Sequence, residues 1–240
     1  MLEETAADTA NSLIALQLNK PVNKIFAERE INGQRIAAGK KPLDFGKLPT
    51  LTDEEYETAR VALGKQPLWV YDHFGSLECD KLMQKLEYMA NGIHCDVIYL
   101  DHLSIVVSGM ESNDERKDID ILMTKLETFT KRTSVRLEVV CHLTKPQGSK
   151  PFEEGGQISL RDLRGSGGLY QMSDSVLGYE RNQQDLDENA ANTMMVRSLK
   201  NRKFGNTGLV GALRFEHTTG RLVNVPWSRD KDGKINLATS

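Results

Sequence analysis

No stretch of this chain approaches the roughly 20 consecutive apolar residues that a membrane-spanning helix needs, so a spanning protein is not expected. The opening Met1-Leu2-Glu3-Glu4-Thr5 has neither the basic region nor the apolar stretch of a signal peptide. Cysteine is scarce, and Cys79, Cys95 and Cys141 are odd in number and far apart, which fits a reducing, cytoplasmic setting. None is spaced as Cys-x-x-Cys, so zinc is not expected and small buried core thiols are the reading. Positive charge is not in excess either. With a net charge of −3, no global field draws in nucleic acid, and any contact with it must come from a local patch. Internal repeats and low-complexity tracts are absent. What remains is an ordinary soluble composition, 39% hydrophobic and 27% charged over 240 residues, enough for one sizeable α/β core.

Hydrophobic spacing places the elements. Residues 5–18 carry Ala6, Ala10, Leu13, Ile14 and Leu18 at helical spacing, and Pro21 stops them. Residues 22–50 read as helical up to Asn32-Gly33 and irregular around Pro42 and Pro49. Thr52-Asp53-Glu54-Glu55 is a capping box that opens a helix running to Gly64. A strand is expected at Leu68-Trp69-Val70-Tyr71, then a helix from about Ser76 with Leu82, Met83, Leu86 and Met89 on one face and Gly92 at its end. The run Cys95-Asp96-Val97-Ile98-Tyr99-Leu100-Asp101-His102 reads as a buried strand. A polar segment, 108–116, precedes a strong helix marked by Ile119, Leu122, Met123, Leu126 and Phe129, and residues 135–142 read as the next strand. Strands alternating with helices predict a parallel sheet with crossover helices. From Ser175 on, strand runs at 175–179, 194–199, 209–215 and 221–225 are separated by Gly- or Asn-rich turns and predict antiparallel hairpins.

One carboxylate delivered to the carboxyl end of a buried strand stands where open α/β sheets bind ligands. In P-loop NTPases such an aspartate holds the Mg²⁺ that bridges the β- and γ-phosphates, so residues 95–102 are a candidate Walker B strand with Asp101 as its acid. The complementary Walker A, Gly-x-x-x-x-Gly-Lys-Ser/Thr, does not occur. Between Gly33 and Lys40 five residues separate the glycines, and Lys41 stands where the hydroxyl belongs. His142 ends the next strand, and in a parallel sheet its imidazole shares an edge with Asp101. It either contacts a γ-phosphate or its attacking water, or is a strand-end histidine bonded to backbone. Arg197-Ser198-Leu199-Lys200-Asn201-Arg202-Lys203 concentrates four cations. Lys200 and Arg202, two apart on a strand, project from one face and suit a phosphate, or else keep a solvated edge from aggregating. Arg164-Gly165-Ser166-Gly167-Gly168 is a basic turn whose N–H groups could clasp a phosphodiester. Residues 146–157 look like a mobile surface loop, with Lys145 and Lys150 available for phosphates.

Together these segments resemble the RecA-like motor domain of hexameric replicative helicases of the DnaB type, and within that group the T-odd phage primase-helicases and mitochondrial Twinkle. The resemblance runs from residue 1 to about 225. It is carried by Asp101-His102-Leu103-Ser104-Ile105-Val106-Val107-Ser108, Asp162-Leu163-Arg164-Gly165-Ser166-Gly167, Glu180-Arg181-Asn182-Gln183-Gln184 and Leu199-Lys200-Asn201-Arg202, in that order. It implies an α/β fold with a RecA-like P-loop NTPase core: a mostly parallel sheet with flanking helices, antiparallel strands at the carboxyl-terminal end, and no Walker A strand-loop-helix. Residues 1–226 would be the motor domain, truncated before its P-loop, and residues 227–240 a mobile tail.

The same resemblance implies roles. Glu3 matches the acid that polarises the attacking water, Asp101 the Mg²⁺ ligand, and His142 the histidine that senses the γ-phosphate and relays its state to the DNA loops. Arg202 falls where the family has its arginine finger, with Lys200 beside it. Arg164, Gly165, Ser166, Gly167 and Gln171 match the DNA-contacting segment, Arg181 an interface or phosphate-linked position, and Phe215 an aromatic against the nucleotide base. ATP or dTTP with Mg²⁺ would be the cofactors, and single-stranded DNA and further copies in a ring, as a hexamer, the partners. Replicative polymerase and primase follow as further partners, although residues 227–240 mix Arg229, Asp230, Lys231, Asp232 and Lys234 where the phage proteins are acidic. The whole implies 5′–3′ unwinding by a chain that is nearly inactive without its P-loop. A non-catalytic DNA-binding or ring-modulating fragment and another RecA-like ATPase, such as a recombinase, are the alternatives.

Overall fold

The computed structural model describes residues 5–71, 78–107, 114–144, 150–164, 167–231 and 235–238, without the side chains of residues 105 and 107. Glu3, Lys145, Gly165 and Ser166 therefore lie outside the described residues. The first half contains helices α1 (Ala6–Leu18), α2 (Val22–Ala37), α3 (Asp53–Leu63) and α4 (Cys79–Glu87), the last continued by a π turn (Tyr88–Gly92). Strand β1 (Val97–Leu100), helices α5 (Leu103–Val107) and α6 (Glu115–Thr133), and strand β2 (Arg136–Val139) follow. The rest comprises a 3-10 turn (Leu160–Asp162), α7 (Gly168–Met172), β3 (Ser175–Arg181), α8 (Glu188–Ala191), β4 (Thr193–Asn201), β5 (Gly208–Glu216), β6 (Arg221–Asn224), β7 (Trp227–Arg229) and β8 (Ile235–Leu237). No helix among the described residues is long and apolar enough to cross a membrane. The chain divides into two compact units.

One unit holds residues 4–72 and 213–224. Its core is Ile14, Ala15, Val22, Ile25, Leu51 and Ala59, with Phe26 and Tyr56 packed against it edge to face. Reciprocal capping boxes start α1 (Thr5 with Asp8) and α3 (Thr52 with Glu55), each meeting two N–H groups that the helix itself leaves unpaired. Lys20 binds Glu55 at 2.7 Å and holds the Glu55 carboxyl below its ordinary value, mainly through that bond. Helix α2 does not stop at Asn32-Gly33. It runs on to Ala37 because Gly33 is exposed there and costs only about 1 kcal/mol relative to alanine. The real stop is Gly39 at φ +69°, with the amides of Gly39 and Lys40 reaching back to the carbonyls of Ile36 and Arg35 at 2.9 and 2.8 Å. The expected strand at residues 68–71 does not form. It has no ladder partner among the described residues, and Leu68 and Trp69 stay about half exposed.

The other unit holds residues 1–3, 73–212 and 225–240. Helices α4, α5 and α6 pack on one another and bury Leu82, Leu86, Leu103, Val106, Leu122, Leu126 and Phe129, each contributing about 1.5–3 kcal/mol by leaving water. Helix α6 begins where Asp114 accepts the amides of Arg116 and Lys117. Strands β1 and β2 pair in parallel, in register from Val97 with Arg136 to Leu100 with Val139. The sheets are otherwise mostly antiparallel, which corrects the expectation of a mostly parallel sheet. The pairs β3–β4, β5–β6 and β7–β8 are antiparallel, and the larger sheet has the order β3-β4-β5-β6. The reason is connectivity: only α5 and α6 form a crossover between paired strands, whereas a four-residue turn after Glu216 can join only antiparallel neighbours. In the β3–β4 ladder Val176 faces Lys200 and Leu177 faces Ser198, so β4 carries one extra residue, Leu199, as a bulge. The segment expected as a tail, residues 227–240, carries β7 and β8, which pair antiparallel. Part of the expected mobile loop is tied down, since Glu154 bridges to Asn182 and Gln183 N–H donates to Glu153 O at 2.8 Å.

Candidate nucleotide and nucleic-acid site

Register alone brings Asp101 and His142 to one edge. Leu100 and Val139 are partners, so the residues that follow both leave the carboxyl end of the parallel pair. The pairing continues past the strands through Val140 N–H to Leu100 O at 3.0 Å and Leu103 N–H to Val140 O at 2.9 Å. Asp101 is half-buried and His102 buried, and the His102 ring meets His142 edge to face with centroids 4.2 Å apart. No group of three or more His, Cys, Asp or Glu side chains among the described residues could by itself hold a metal. A lone strand-end carboxylate nevertheless fits Mg²⁺, which keeps water and phosphate oxygens in most of its shell.

Beyond His142 the chain doubles against the start of the candidate DNA segment. Leu143 bridges Leu163, Thr144 N–H donates to Asp162 O at 2.7 Å, and Arg164 N–H donates to His142 O at 2.9 Å. The Arg164 guanidinium lies 3.0 Å from Glu115 at the start of α6. Gly167 caps α7 and accepts the Gln171 amide on its carbonyl at 3.0 Å. The Gln171 side chain is exposed.

Lys200 and Arg202 do project from one side, and both turn onto the end of α7. Lys200 Nζ donates to the carbonyls of Tyr170 and Gln171. Arg202 donates to Gln171 O and pairs with Asp174 at 3.1 Å, while its backbone N–H reaches Asp174 O at 2.8 Å. Cations at a helix carboxyl terminus are favoured by its unpaired carbonyls. Burial lowers the Lys200 ammonium below the ordinary lysine value, Arg202 adds to this, and Asp174 opposes it. The four-cation run is thus no free patch. Arg197 forms a two-pronged pair with Glu180 at 2.7 and 3.0 Å, in which Glu180 raises it further, and Glu180 also accepts the Ile158 amide at 2.9 Å.

Arg181 is held by Ala191 O at 2.6 Å and Asn192 Oδ1 at 3.0 Å. Phe215, in the helical unit, stacks edge to face on His217 at 4.9 Å. Of the cysteines Cys79 is buried and Cys95 and Cys141 half-buried, all three with thiols pushed up by burial. Residues that sequence reasoning passed over are His102, Glu115, Asp174 and Glu180 as partners. His102 and Glu180 stand inside segments that carry the resemblance, whereas Glu115 and Asp174 carry no signal of their own in the sequence.

Against known proteins, the model of the family described as DnaB-like helicase C terminal domain matches residues 6–224. A DNA helicase/primase of Enterobacteria phage T3 is 41% identical over 222 residues, covering 92% of this chain and 36% of that protein. The chain thus spans about a third of the length of the curated relative it matches. A solved ATPase domain superposes with a TM-score of 0.65 at 20% identity, covering 93% of this chain and 72% of the other. A DnaB-like replicative helicase, solved in a study of its interactions with primase, gives 0.64 at 19% identity over 92% and 49%. The two superpositions show an α/β fold of the DnaB-like ATPase kind.

Proposed function

We propose, since this chain belongs to the DnaB-like helicase C terminal domain family, that it is the carboxyl-terminal motor part of an NTP-driven replicative helicase. It would work as a ring, a hexamer, that travels 5′ to 3′ on single-stranded DNA. Residues 1–226 would act as one motor domain, with residues 227–240 as an appendage. The observation that carries this reading is the common edge of Asp101 and His142 beyond two parallel strands in register.

ATP or dTTP with Mg²⁺ would sit at that edge, and the metal would supply Lewis-acid stabilisation of the transferring phosphoryl group. Asp101 would hold the ion, and His142 would accept or donate a hydrogen bond at the γ-phosphate. Glu3 would orient the water. Arg202, released from Asp174, would reach a neighbouring copy's nucleotide as an arginine finger, with Lys200 holding the base of that turn. Arg164, Gly165, Ser166, Gly167 and Gln171 would track the DNA backbone, and Phe215 would pack on a base. Arg181, fixed to residues 191–192, would shape rather than touch the site. Primase and the replicative polymerase would be further partners, the first by analogy with the solved helicase studied with primase.

The phosphate cradle is the half that these 240 residues lack. The chain alone should therefore bind ATP or dTTP very weakly and hydrolyse it at background rates. The test is a version carrying a Gly-x-x-x-x-Gly-Lys-Thr segment ahead of residue 1. Mg²⁺-dependent hydrolysis should appear there and be lost in Asp101→Asn. Robust turnover by the 240 residues alone would sink the reading.

A further inference from the structure

We infer that the segment joining α2 to α3 is a second nucleic-acid surface, and that it takes the phosphodiester backbone of duplex DNA. Residues 38–52 form no helix or strand, yet they are held in place. Asn32 bonds both backbone groups of Leu43, its Nδ2 donating to the carbonyl at 3.1 Å and its Oδ1 accepting the amide at 2.7 Å. Arg35 Nε donates to Lys41 O at 2.8 Å, Asp44 Oδ1 accepts the Gly46 amide at 2.7 Å, and Arg29 donates to Leu51 O. Leu51 is buried in the core of the helical unit with Leu48 packed against that core, and Pro42 and Pro49 fix their own φ. A connection this long without secondary structure is usually functional or disordered, and this one is bonded along its length.

Positive charge collects on it. Between residues 35 and 47 four cations, Arg35, Lys40, Lys41 and Lys47, stand against one acid, Asp44, in a chain whose net charge is −3. The three lysines are exposed, and none of the four cations forms an ion pair among the described residues. Arg164, Arg197 and Arg202, by contrast, each have an acid beside them. Asp44 is already engaged by the Gly46 amide. Fixing the backbone that bears these cations before a ligand arrives removes part of the ordering cost of binding.

Like charges held together without counter-charge call for an anion, and their spread sets its kind. Lys41 and Lys47 are at most about 20 Å of chain apart, a length over which a duplex carries about a dozen phosphates. An open row of that length suits a polymer rather than a single phosphate. Single-strand surfaces add aromatic rings on which bases stack, and here the one aromatic, Phe45, is half-buried. Charge without stacking favours the duplex backbone. Exposed Ile36 and Leu43 beside the cations make an acidic amphipathic peptide the rival, and membership of a helicase family decides for DNA. The surface stands on charge and backbone geometry, whereas the choice of DNA rests on the functional reading above. Residues 164–171, proposed to track a single strand, belong to the other unit.

The test measures binding of the 240-residue chain to a labelled blunt duplex of about 24 base pairs and to oligothymidine of the same length, by anisotropy between about 50 and 200 mM salt. The triple variant Lys40→Gln, Lys41→Gln, Lys47→Gln should weaken duplex binding about tenfold or more at the low end and flatten its log–log salt slope by about 2.7, or about 0.9 per lost contact. Oligothymidine binding should hardly change, and Lys→Arg at the same positions should keep both. An unchanged duplex affinity or slope overturns the surface, and equal losses for duplex and oligothymidine overturn the choice of duplex. Polyglutamate bound as tightly as the duplex, and lost in the same variant, would make an acidic protein the partner and overturn the choice of DNA. Arg164→Ala is the control on the functional reading and should weaken oligothymidine binding alone. If it does not, the single-strand assignment fails while the duplex surface stands.

Discussion

The backbone N–H of Arg164 donates to the carbonyl oxygen of His142 at 2.9 Å. One backbone hydrogen bond thus joins the residue matched to phosphate sensing to the first residue of the segment matched to DNA contact. With Thr144 bonded to Asp162 and Leu143 bridged to Leu163, the two segments form a short antiparallel ladder, so displacement of one must displace or break the other. In a ring carrying a phosphate loop, exchange of the Arg164 and Thr144 amides should change between nucleotide-loaded and empty states. His142→Ala, which also removes the proposed γ-phosphate contact, should abolish that difference even at saturating nucleotide. Identical exchange in both states would show that the ladder transmits nothing.

Arg202 is held at home by Asp174 and the Gln171 carbonyl. If it acts in a neighbour's site, Arg202→Ala should lower hydrolysis by about 10³-fold or more without loss of fold. Mixing it with Glu3→Gln subunits should restore part of the rate, because some interfaces then pair an intact Glu3 with an intact Arg202. Rings shown by mass to be mixed, yet without recovery, would assign Arg202 a role inside its own subunit. Asp174→Ala should free the guanidinium and leave hydrolysis largely intact.

The Arg197–Glu180 pair is structural and testable on its own. Both side chains are largely out of solvent, and Glu180 also satisfies the Ile158 amide. Glu180→Ala should cost about 3–5 kcal/mol by stranding a buried guanidinium, and replacing both residues by leucine should cost much less. Urea unfolding of the single and double variants decides it, and equal losses would contradict a desolvated pair.

Lys200 offers a pH signature. Its charged form is disfavoured in the folded chain by burial and by Arg202, so its folded value lies below the unfolded one. A depressed value means that the associated stability is fully present above the unfolded value, about 10.4, and is lost as pH falls through the folded value. Titration of the Lys200 side chain by NMR should therefore give a value below that of exposed lysines. Arg202→Ala should raise it and Asp174→Asn lower it further. The opposite order would refute the assigned causes.

Much of this was readable from residue order. The capping box of Thr52 with Glu55, the apolar stripe of α6 and the acid following β1 are local signals, written within a few residues, and the structure places them as read. The helicase resemblance, too, agrees with the family to which the chain belongs. The misreadings each have a physical cause. Leu68-Trp69-Val70-Tyr71 has the composition of a strand, but a strand needs a neighbour, and composition does not name one. Asn32-Gly33 looks like a helix stop, yet an exposed glycine costs a helix only about 1 kcal/mol, and α2 runs on to Ala37. Arg197 through Lys203 read as a free cationic run because its partners Glu180, Asp174 and the α7 carbonyls lie 17 to 31 residues away in sequence.

The extra residue at Leu199 has a wider effect than a local bend. On a pleated strand odd and even positions face opposite ways, and an insertion exchanges their parity from that point on. Arg197 stands across from Gly178 and Lys200 across from Val176, two positions of β3 that share a face. An odd-numbered cation and two even-numbered ones, Lys200 and Arg202, therefore come out on the same side. A β4 that kept all its residues but paired without the bulge would set Leu199 opposite Val176 and Lys200 opposite Ser175, and would turn Lys200 and Arg202 away from the α7 carbonyls.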